Sequence, residues 1–174
     1  MYIVVTDHRD HWKQLFSEES RRIKHIFGNE LIDIHHIGST AVPGLKAKPI
    51  IDIMPVVRNI AKVDSFNDQM AGLGYECMGE FGMEGRRYFR KGGDHRTHQV
   101  HVFQETNRED ITRHLAVRDY LRMHPDEADR YGDLKANLAK QFPENVEAYM
   151  DGKDAFVKEM EKKALQWYQT DQES

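Results

Sequence analysis

The chain has 174 residues, of which 31% are charged and 39% hydrophobic, and its formal net charge is -4. That length predicts a single domain that buries roughly 70% of its unfolded surface. Apolar residues occur throughout, which excludes disorder, and no stretch approaches the ~20 apolar residues of a membrane span. The acidic balance argues against an extended nucleic-acid surface but permits a small anion held by local basic side chains. The single Cys77 requires no oxidising compartment, so we expect a cytoplasmic protein with no membrane partner.

The first half of the chain predicts alternating helices and strands. Apolar residues at three- and four-residue steps predict a helix from Asp10 to Phe27, and Gly28 supplies its end. An isoleucine-rich strand is predicted from Leu31 to Ile37, and a buried strand from Pro49 to Val57 after a short turn. A second helical stripe runs from Val63 to Leu73.

The second half changes from strands to helices. A β-prone segment opens the chain at Tyr2–Val5, and further ones occur at Tyr75–Met78, Arg87–Lys91 and Thr97–Phe103. Beyond Asn107 the pattern is helical, with Pro125 at a favoured first helical position. Strands with helices first and a helical block last predict an α+β fold. We expect one domain over 1–174, strand-rich over about 1–106 and helical over about 107–174.

Most of the chemical information lies in HHIGSTAVPGLKAKPIIDI, residues 35–53, which is predicted to form strand, turn, short helix and strand. Gly38 lets a ligand approach the backbone, and the N–H groups and hydroxyls of Ser39 and Thr40 can then face phosphate oxygens. Asp52 lies within an apolar strand, where an unpaired carboxylate is costly, so it should meet a cation, a metal or hydrogen-bond donors. The alternative is an ordinary turn and an ion pair between Asp52 and Lys48 or an arginine.

A second candidate group lies on the strand RTHQVHV. Because side chains alternate along a strand, Gln99 and His101 share one face, and His98 lies on the other. A His101 that faces Asp52 from a neighbouring strand could act as a metal ligand or an acid–base partner. The alternative is a hydrogen-bonded histidine at the edge of the core.

Basic side chains near these segments are candidates for binding phosphate. Lys48 lies near the turn, and Arg87 belongs to a basic hairpin whose guanidinium groups suit phosphate oxygens. Charge runs on hairpins are also typical of plain solvated surfaces.

The segment at 35–53, together with GRRYFRK at 85–91, RTHQVHV at 96–102 and RHLAVRDYLRMHPDEADRYGDLKANLA at 113–139, closely resembles the GrpB-like family of the nucleotidyltransferase superfamily. The resemblance implies a mixed β-sheet flanked by helices. The superfamily pattern is a Gly-Ser turn, a strand with two acids one residue apart, and a third acid on a neighbouring strand. Gly38, Ser39 and Asp52 match this pattern, whereas Met54 stands at the second acid position. The third position falls in RTHQVHV, which offers Gln99 and His101 instead.

The activity that the resemblance implies is transfer of a nucleotidyl group from a nucleoside triphosphate to an acceptor that the sequence does not identify. A divalent ion, Mg²⁺ or Mn²⁺, is implied as cofactor, with Asp52, His101 and Gln99 as its expected ligands and a small nucleotide as the expected partner. Asp52 and His101 are the expected catalytic residues. Two alternatives remain: a non-catalytic nucleotide-binding module, which Met54 favours, and a metal-dependent hydrolase that uses His101 and Asp52.

Overall fold

Strands and helices alternate through the first part of the chain, and helices alone follow. The computed structural model describes residues 2–173, with side chains up to residue 170. The helices are α1 (His11–Phe27), α2 (Asn67–Gly72), α3 (Arg108–Met123), α4 (Pro125–Gln141) and α5 (Val146–Glu173). The strands are β1 (Leu31–Ile37), β2 (Ile51–Val57), β3 (Tyr75–Cys77), β4 (Arg86–Lys91) and β5 (His98–Gln104). The predicted α+β class is confirmed.

Contacts group these elements into two compact units. The sheet unit comprises His11–Ile37 and Ile50–Ile111. The helical unit comprises Met1–Asp10, Gly38–Pro49 and Thr112–Ser174. The predicted site residues are therefore divided, because the Gly-Ser turn belongs to the helical unit and Asp52 to the sheet unit.

The sheet unit contains five strands in the order β1-β2-β5-β4-β3. β2 and β5 run parallel, and the other neighbouring pairs are antiparallel. One sheet face carries Ile53 and Val100, both fully buried, and packs against α1, where Phe16 stacks on His36 at 4.8 Å between ring centroids. Since side chains alternate, the opposite face carries Asp52.

The predicted elements differ from the structure mainly at their ends. β1 has the predicted bounds, whereas β2 begins at Ile51, because Pro49 has no N–H to donate to a strand ladder. The helical stripe from Val63 consists of a 3₁₀ helix, Ile60–Phe66, followed by α2. The β-prone residues 2–5 form no strand, and Thr6 makes one isolated bridge to Ala47.

The helical unit has its own apolar core. Val42 and Leu45, which follow the Gly-Ser turn, pack with Tyr120 of α3, Tyr131 of α4 and Met160 of α5. The turn itself is a short 3₁₀ helix, Ser39–Ala41. Among the residues that the structure describes, no helix is both long and apolar enough to cross a membrane.

Candidate functional site

Asp52 and His101 form a hydrogen-bonded pair on the sheet face opposite α1. Asp52 is in register with Gln99 of the parallel strand β5, so Gln99 and His101 share its face. The distance from His101 Nε2 to Asp52 Oδ1 is 3.0 Å, and the side chains are 13% and 24% exposed. The structure thus brings together the three predicted residues of the sheet, and the pairing satisfies a carboxylate on an otherwise apolar strand.

Arg86 determines which nitrogen of His101 carries the proton. Its Nη1 lies 3.4 Å from His101 Nδ1. A guanidinium has donors but no acceptor, so Nδ1 must accept, and the neutral imidazole carries its proton on Nε2. Nε2 then donates to Asp52 Oδ1. In this network His101 orients the carboxylate of Asp52.

The residues around Asp52 offer one carboxylate to a divalent ion. Met54, at the second acid position, is fully buried on the face of Asp52 and has no oxygen to offer a hard cation. No group of three or more histidine, cysteine, aspartate or glutamate side chains within the described part of the chain could hold an ion. Mg²⁺ usually combines one or two carboxylates with waters and substrate phosphates, so a single carboxylate suits such an ion and does not suit a resident two-ion centre.

Arg87 and His98 lie on the opposite sheet face, because they alternate with Tyr88 and with Gln99. Arg87 donates from Nε to Asp64 Oδ1 at 2.8 Å, and the structure does not bring it to Asp52. The predicted separation of His98 from His101 is confirmed. His98 lies 3.2 Å from the buried Glu19 of α1, and burial lowers its pKa despite that carboxylate.

In the helical unit, the Gly-Ser turn presents one serine hydroxyl. Gly38 has φ 76°, a backbone conformation that favours glycine. The N–H of Ala41 donates to Gly38 O at 3.1 Å, and Arg122 Nε donates to Ala41 O at 2.9 Å. Thr40 is buried, whereas Ser39 is half-buried.

Lys135 of α4 is the partner of that serine. Its Nζ donates to Ser39 Oγ at 2.8 Å, although the residue is only 3% exposed. Burial first, and then the nearby Lys153 and Lys48, lower the pKa of Lys135 to about 7. A neutral hydroxyl does not balance the charge of a buried ammonium, so the charged form of Lys135 is held here at a cost.

Lys48 and Lys153 extend the positive charge around Lys135. Lys48 Nζ lies 5.2 Å and Lys153 Nζ 5.5 Å from the ring centroid of Tyr149, and Lys135 Nζ lies 4.4 Å from that of Tyr131. Burial raises the pKa of the Tyr149 hydroxyl, so this ring stays neutral. We call Ser39, Lys48, Lys135 and Lys153 the lysine cluster. Its arrangement can bind a multiply charged phosphate.

Sequence reasoning missed Lys135, although a signal was present. The buried apolar stripe of α4 includes Ala128, Tyr131 and Leu138. Lys135 lies four residues after Tyr131 and three before Leu138, so it falls on the buried stripe. A lysine at such a position indicates a buried charge.

The sheet and its helices define the class of fold. The structure of Cid1 in complex with the UTP analog UMPNPP matches with a TM-score of 0.51, covering 77% of this chain and 42% of that chain at 15% identity. At that identity the likeness shows the fold alone, and the fold resembles that of a nucleotidyltransferase.

The family follows from closer relatives. The model of the GrpB protein family matches residues 2–163. The crystal structure of conserved protein GrpB from Enterococcus faecalis has a TM-score of 0.93 and 48% identity, with 95% of this chain and 99% of that chain covered. The chain therefore belongs to the GrpB family.

Curated relatives differ in length. The UPF0157 protein YqkA of Bacillus subtilis is 48% identical over 160 residues, which are 92% of this chain and 46% of YqkA. The glutamate-rich protein GrpB of Alkalihalophilus pseudofirmus is 34% identical, with 91% of this chain and 93% of that protein covered. The chain thus spans about half the length of YqkA and nearly all of the second relative.

Proposed function

We propose that this protein binds a nucleoside triphosphate together with one divalent cation, Mg²⁺ or Mn²⁺, and transfers its nucleotidyl group to an acceptor. The observation that carries the proposal is Lys135, a buried lysine with a pKa of about 7 that donates to Ser39 Oγ at 2.8 Å. A triphosphate would supply an anionic partner for this lysine, whose partner in the structure is the neutral hydroxyl of Ser39. The nucleotidyltransferase fold supports the same conclusion.

Phosphate binding is assigned to the lysine cluster. Lys135 and Lys48 would donate to phosphate oxygens, and the Ser39 hydroxyl would donate to the oxygen nearest the turn. Binding would raise the pKa of Lys135, because an adjacent anion favours its charged form. Lys135 therefore takes up a proton when the ligand binds near neutral pH.

Cation binding is assigned to Asp52. A cation held there would supply positive charge to the phosphate oxygens that it coordinates. In the transfer, an acceptor hydroxyl would form a bond to the α-phosphorus, the bond from that phosphorus to the pyrophosphate oxygen would break so that pyrophosphate leaves, and the hydroxyl proton would pass to Asp52 Oδ2, the carboxylate oxygen that His101 does not hold. His101 donates to Asp52 and holds the carboxylate in one orientation.

Titration calorimetry with inorganic tripolyphosphate and with ATP, each with and without Mg²⁺, tests the binding. We expect both ligands to bind, with Ser39→Ala weakening both and Asp52→Asn removing only the gain from Mg²⁺. Ser65→Ala, an exposed serine of the sheet unit that donates to Lys62 O at 2.6 Å, is the matched control. Absence of binding by the unaltered protein would overturn the proposal.

One observation favours a second function, a nucleotide-binding module without catalysis. Met54 is fully buried where the superfamily pattern has its second acid, so the protein lacks the carboxylate that holds a second ion there. Pyrophosphate release over a panel of nucleotides and acceptors separates the two functions. Tight binding without release would favour the module.

The proposed location is the cytoplasm. The single Cys77 is exposed and unpaired by disulfide, as is usual in a reducing compartment.

A further inference from the structure

An exposed phenylalanine with an unusual backbone conformation lies in the loop between β3 and β4. Phe81 has φ 47° and is the one non-glycine residue with positive φ among the residues described. Side chains other than glycine rarely adopt this conformation, and bulky ones least of all. Its side chain is nevertheless 52% exposed. Burial in the core therefore does not explain the strain.

Arg86 holds the loop in this conformation. Its Nη2 donates to Phe81 O at 2.9 Å, and its Nε donates to Glu80 O at 3.3 Å. The Glu80 carboxylate accepts from the N–H of Gly85 at 2.7 Å. These bonds fix the backbone on both sides of Phe81, so the ring has a defined position.

The ring of Phe81 lies at the outer end of an aromatic stack. It stacks on Tyr88 at 5.4 Å between centroids, with 12° between the ring planes. Tyr88 in turn lies 5.3 Å from the ring of His101, which is bonded to Asp52. The stack therefore leads from the Asp52–His101 pair to one exposed aromatic face, within the sheet unit alone.

Positive charge surrounds this stack. The guanidinium of Arg86 lies 4.7 Å from the Tyr88 centroid, and that of Arg90 lies 5.5 Å from the Phe81 centroid. Arg96 acts electrostatically on the Tyr88 hydroxyl. Arg90 Nε lies 3.7 Å from Glu76 Oε1, and the buried Nε of Arg96 has no hydrogen-bond partner within the described part of the chain. A flat ligand with acceptor atoms suits an exposed aromatic face that lies beside guanidinium groups.

We propose that the exposed face of Phe81 binds a nucleobase by stacking. A nucleobase combines a flat π-face with carbonyl and ring-nitrogen acceptors, and stacking on an aromatic side chain is available to every base. The arginines exclude a quaternary ammonium ligand, because they would repel its charge. One aromatic ring ringed by cations is also too small and too polar for a lipid surface.

The inference rests on the proposed function, which supplies two sources of a base. The base can belong to the bound nucleoside triphosphate or to the end of a nucleic-acid acceptor. Both sources present the same flat base to Phe81. They differ because a single nucleotide is sufficient for stacking in the first case, whereas the second requires an oligonucleotide.

Titration calorimetry with three probes distinguishes these sources: inorganic tripolyphosphate, ATP and a ten-nucleotide oligo(A), all with Mg²⁺. Phe81→Leu removes the aromatic face and keeps the apolar volume, while Phe81→Tyr keeps the face. Tyr2→Leu alters an aromatic side chain of the helical unit that is 69% exposed and serves as the matched control. Thermal melting verifies that each variant is folded.

The expected result is a loss of roughly 5- to 150-fold in affinity for a base-containing probe in Phe81→Leu, with rescue in Phe81→Tyr. If Phe81→Leu weakens the affinity for ATP and leaves that for tripolyphosphate unchanged, the stacked base is that of the nucleoside triphosphate. If the variant weakens only the affinity for the oligonucleotide, the stacked base is that of the acceptor. Affinities within twofold of the unaltered protein for ATP and the oligonucleotide would overturn the stacking site.

The same titrations separate this inference from the proposed function. If tripolyphosphate binds and no probe depends on Phe81, the proposed function stands and the stacking site falls. If only the oligonucleotide binds and its affinity depends on Phe81, the stacking site stands and triphosphate binding falls. If the unaltered protein binds none of the probes, both are wrong.

Discussion

The Asp52–His101 pair of the sheet unit and the Ser39–Lys135 pair of the helical unit handle charge in opposite ways. The carboxylate of Asp52 is 24% exposed and receives the Nε2–H of His101, so its charge is partly compensated. The ammonium of Lys135 is only 3% exposed and meets a neutral hydroxyl, and burial lowers its pKa to about 7. The hydrogen bond from His101 therefore orients the carboxylate of Asp52. The charge of Lys135, which has no anionic partner, lowers the stability of the folded state, and a bound anion would remove that cost.

The largest expected effect comes from Lys135→Met, which removes the buried charge and keeps its length. We expect affinity for tripolyphosphate to fall on the order of 10- to 100-fold, since a charge-assisted hydrogen bond is lost. The free energy of unfolding should rise by about 1–4 kcal/mol at pH 7, because an apolar side chain replaces a buried ion. Calorimetry and urea unfolding measure the two effects.

Lys158→Met is the matched control for this variant. Lys158 lies on α5 of the same unit, 72% exposed, and pairs with Asp154 at 2.8 Å. Its replacement should change neither affinity nor stability by more than about 0.5 kcal/mol. A lower free energy of unfolding for Lys135→Met than for the unaltered protein would contradict the claim that the buried charge of Lys135 destabilises the folded state.

The second prediction concerns pH. The pKa of Lys135 is lowered from its usual value of 10.5 to about 7, so the folded state holds fewer protons than the unfolded state between these values. The buried charge of Lys135 therefore lowers the free energy of unfolding in full below pH 7, and this destabilisation disappears as the pH rises toward 10. The stability difference between the Lys135→Met variant and the unaltered protein should shrink over the same range.

Ligand binding should show the matching proton uptake. Tripolyphosphate affinity should fall by up to about tenfold per pH unit above neutrality, because neutral Lys135 must first take up a proton. Calorimetry in two buffers of different ionisation enthalpy measures that uptake near pH 8. Equal apparent enthalpies in both buffers would show that Lys135 does not titrate with binding.

Asp52→Asn tests the sheet unit and should have a smaller effect. The amide oxygen can still accept from His101, so stability should change little, whereas the carboxylate needed for a cation is lost. We expect the gain in ATP affinity from Mg²⁺ to fall by about tenfold, with tripolyphosphate binding in a chelator unchanged. Asp64→Asn, which alters the partner of Arg87 on the opposite face, should leave that gain intact.

The smallest effect on the Asp52–His101 pair is expected for Arg86→Met. Nδ1 of His101 loses its donor, so that the Nε2–H tautomer is no longer enforced. The same variant loses the bonds from Arg86 to Glu80 O and Phe81 O and therefore loosens the loop that carries Phe81. Nitrogen-15 chemical shifts of the imidazole should move from a single tautomer toward a mixture. Arg87→Met, on the opposite face, should not move them, and a mixture already present in the unaltered protein would contradict the assigned role of Arg86.

Much of the sheet could be predicted from the sequence, because alternation along a strand is local. The bounds of β1 and the shared face of Gln99 and His101 followed from apolar pattern and period. The sequence pattern did not show which arginine of the basic hairpin lies near Asp52, and Arg87, the one named as a candidate, lies on the opposite face. Only the pairing of Tyr88 with His101 in the β4–β5 ladder shows that Arg86 shares the face of Asp52.

The sequence by itself determined the α+β class, the turn at Gly38 and Ser39, and the acid on an apolar strand. These features depend on residue type and short spacing, which neighbouring residues set. Only the tertiary structure decided that Lys135 reaches Ser39 across 96 positions of the chain. It also decided that Tyr88 and Phe81 continue outward from His101. Such partners depend on register and helix packing, which a single sequence does not encode locally.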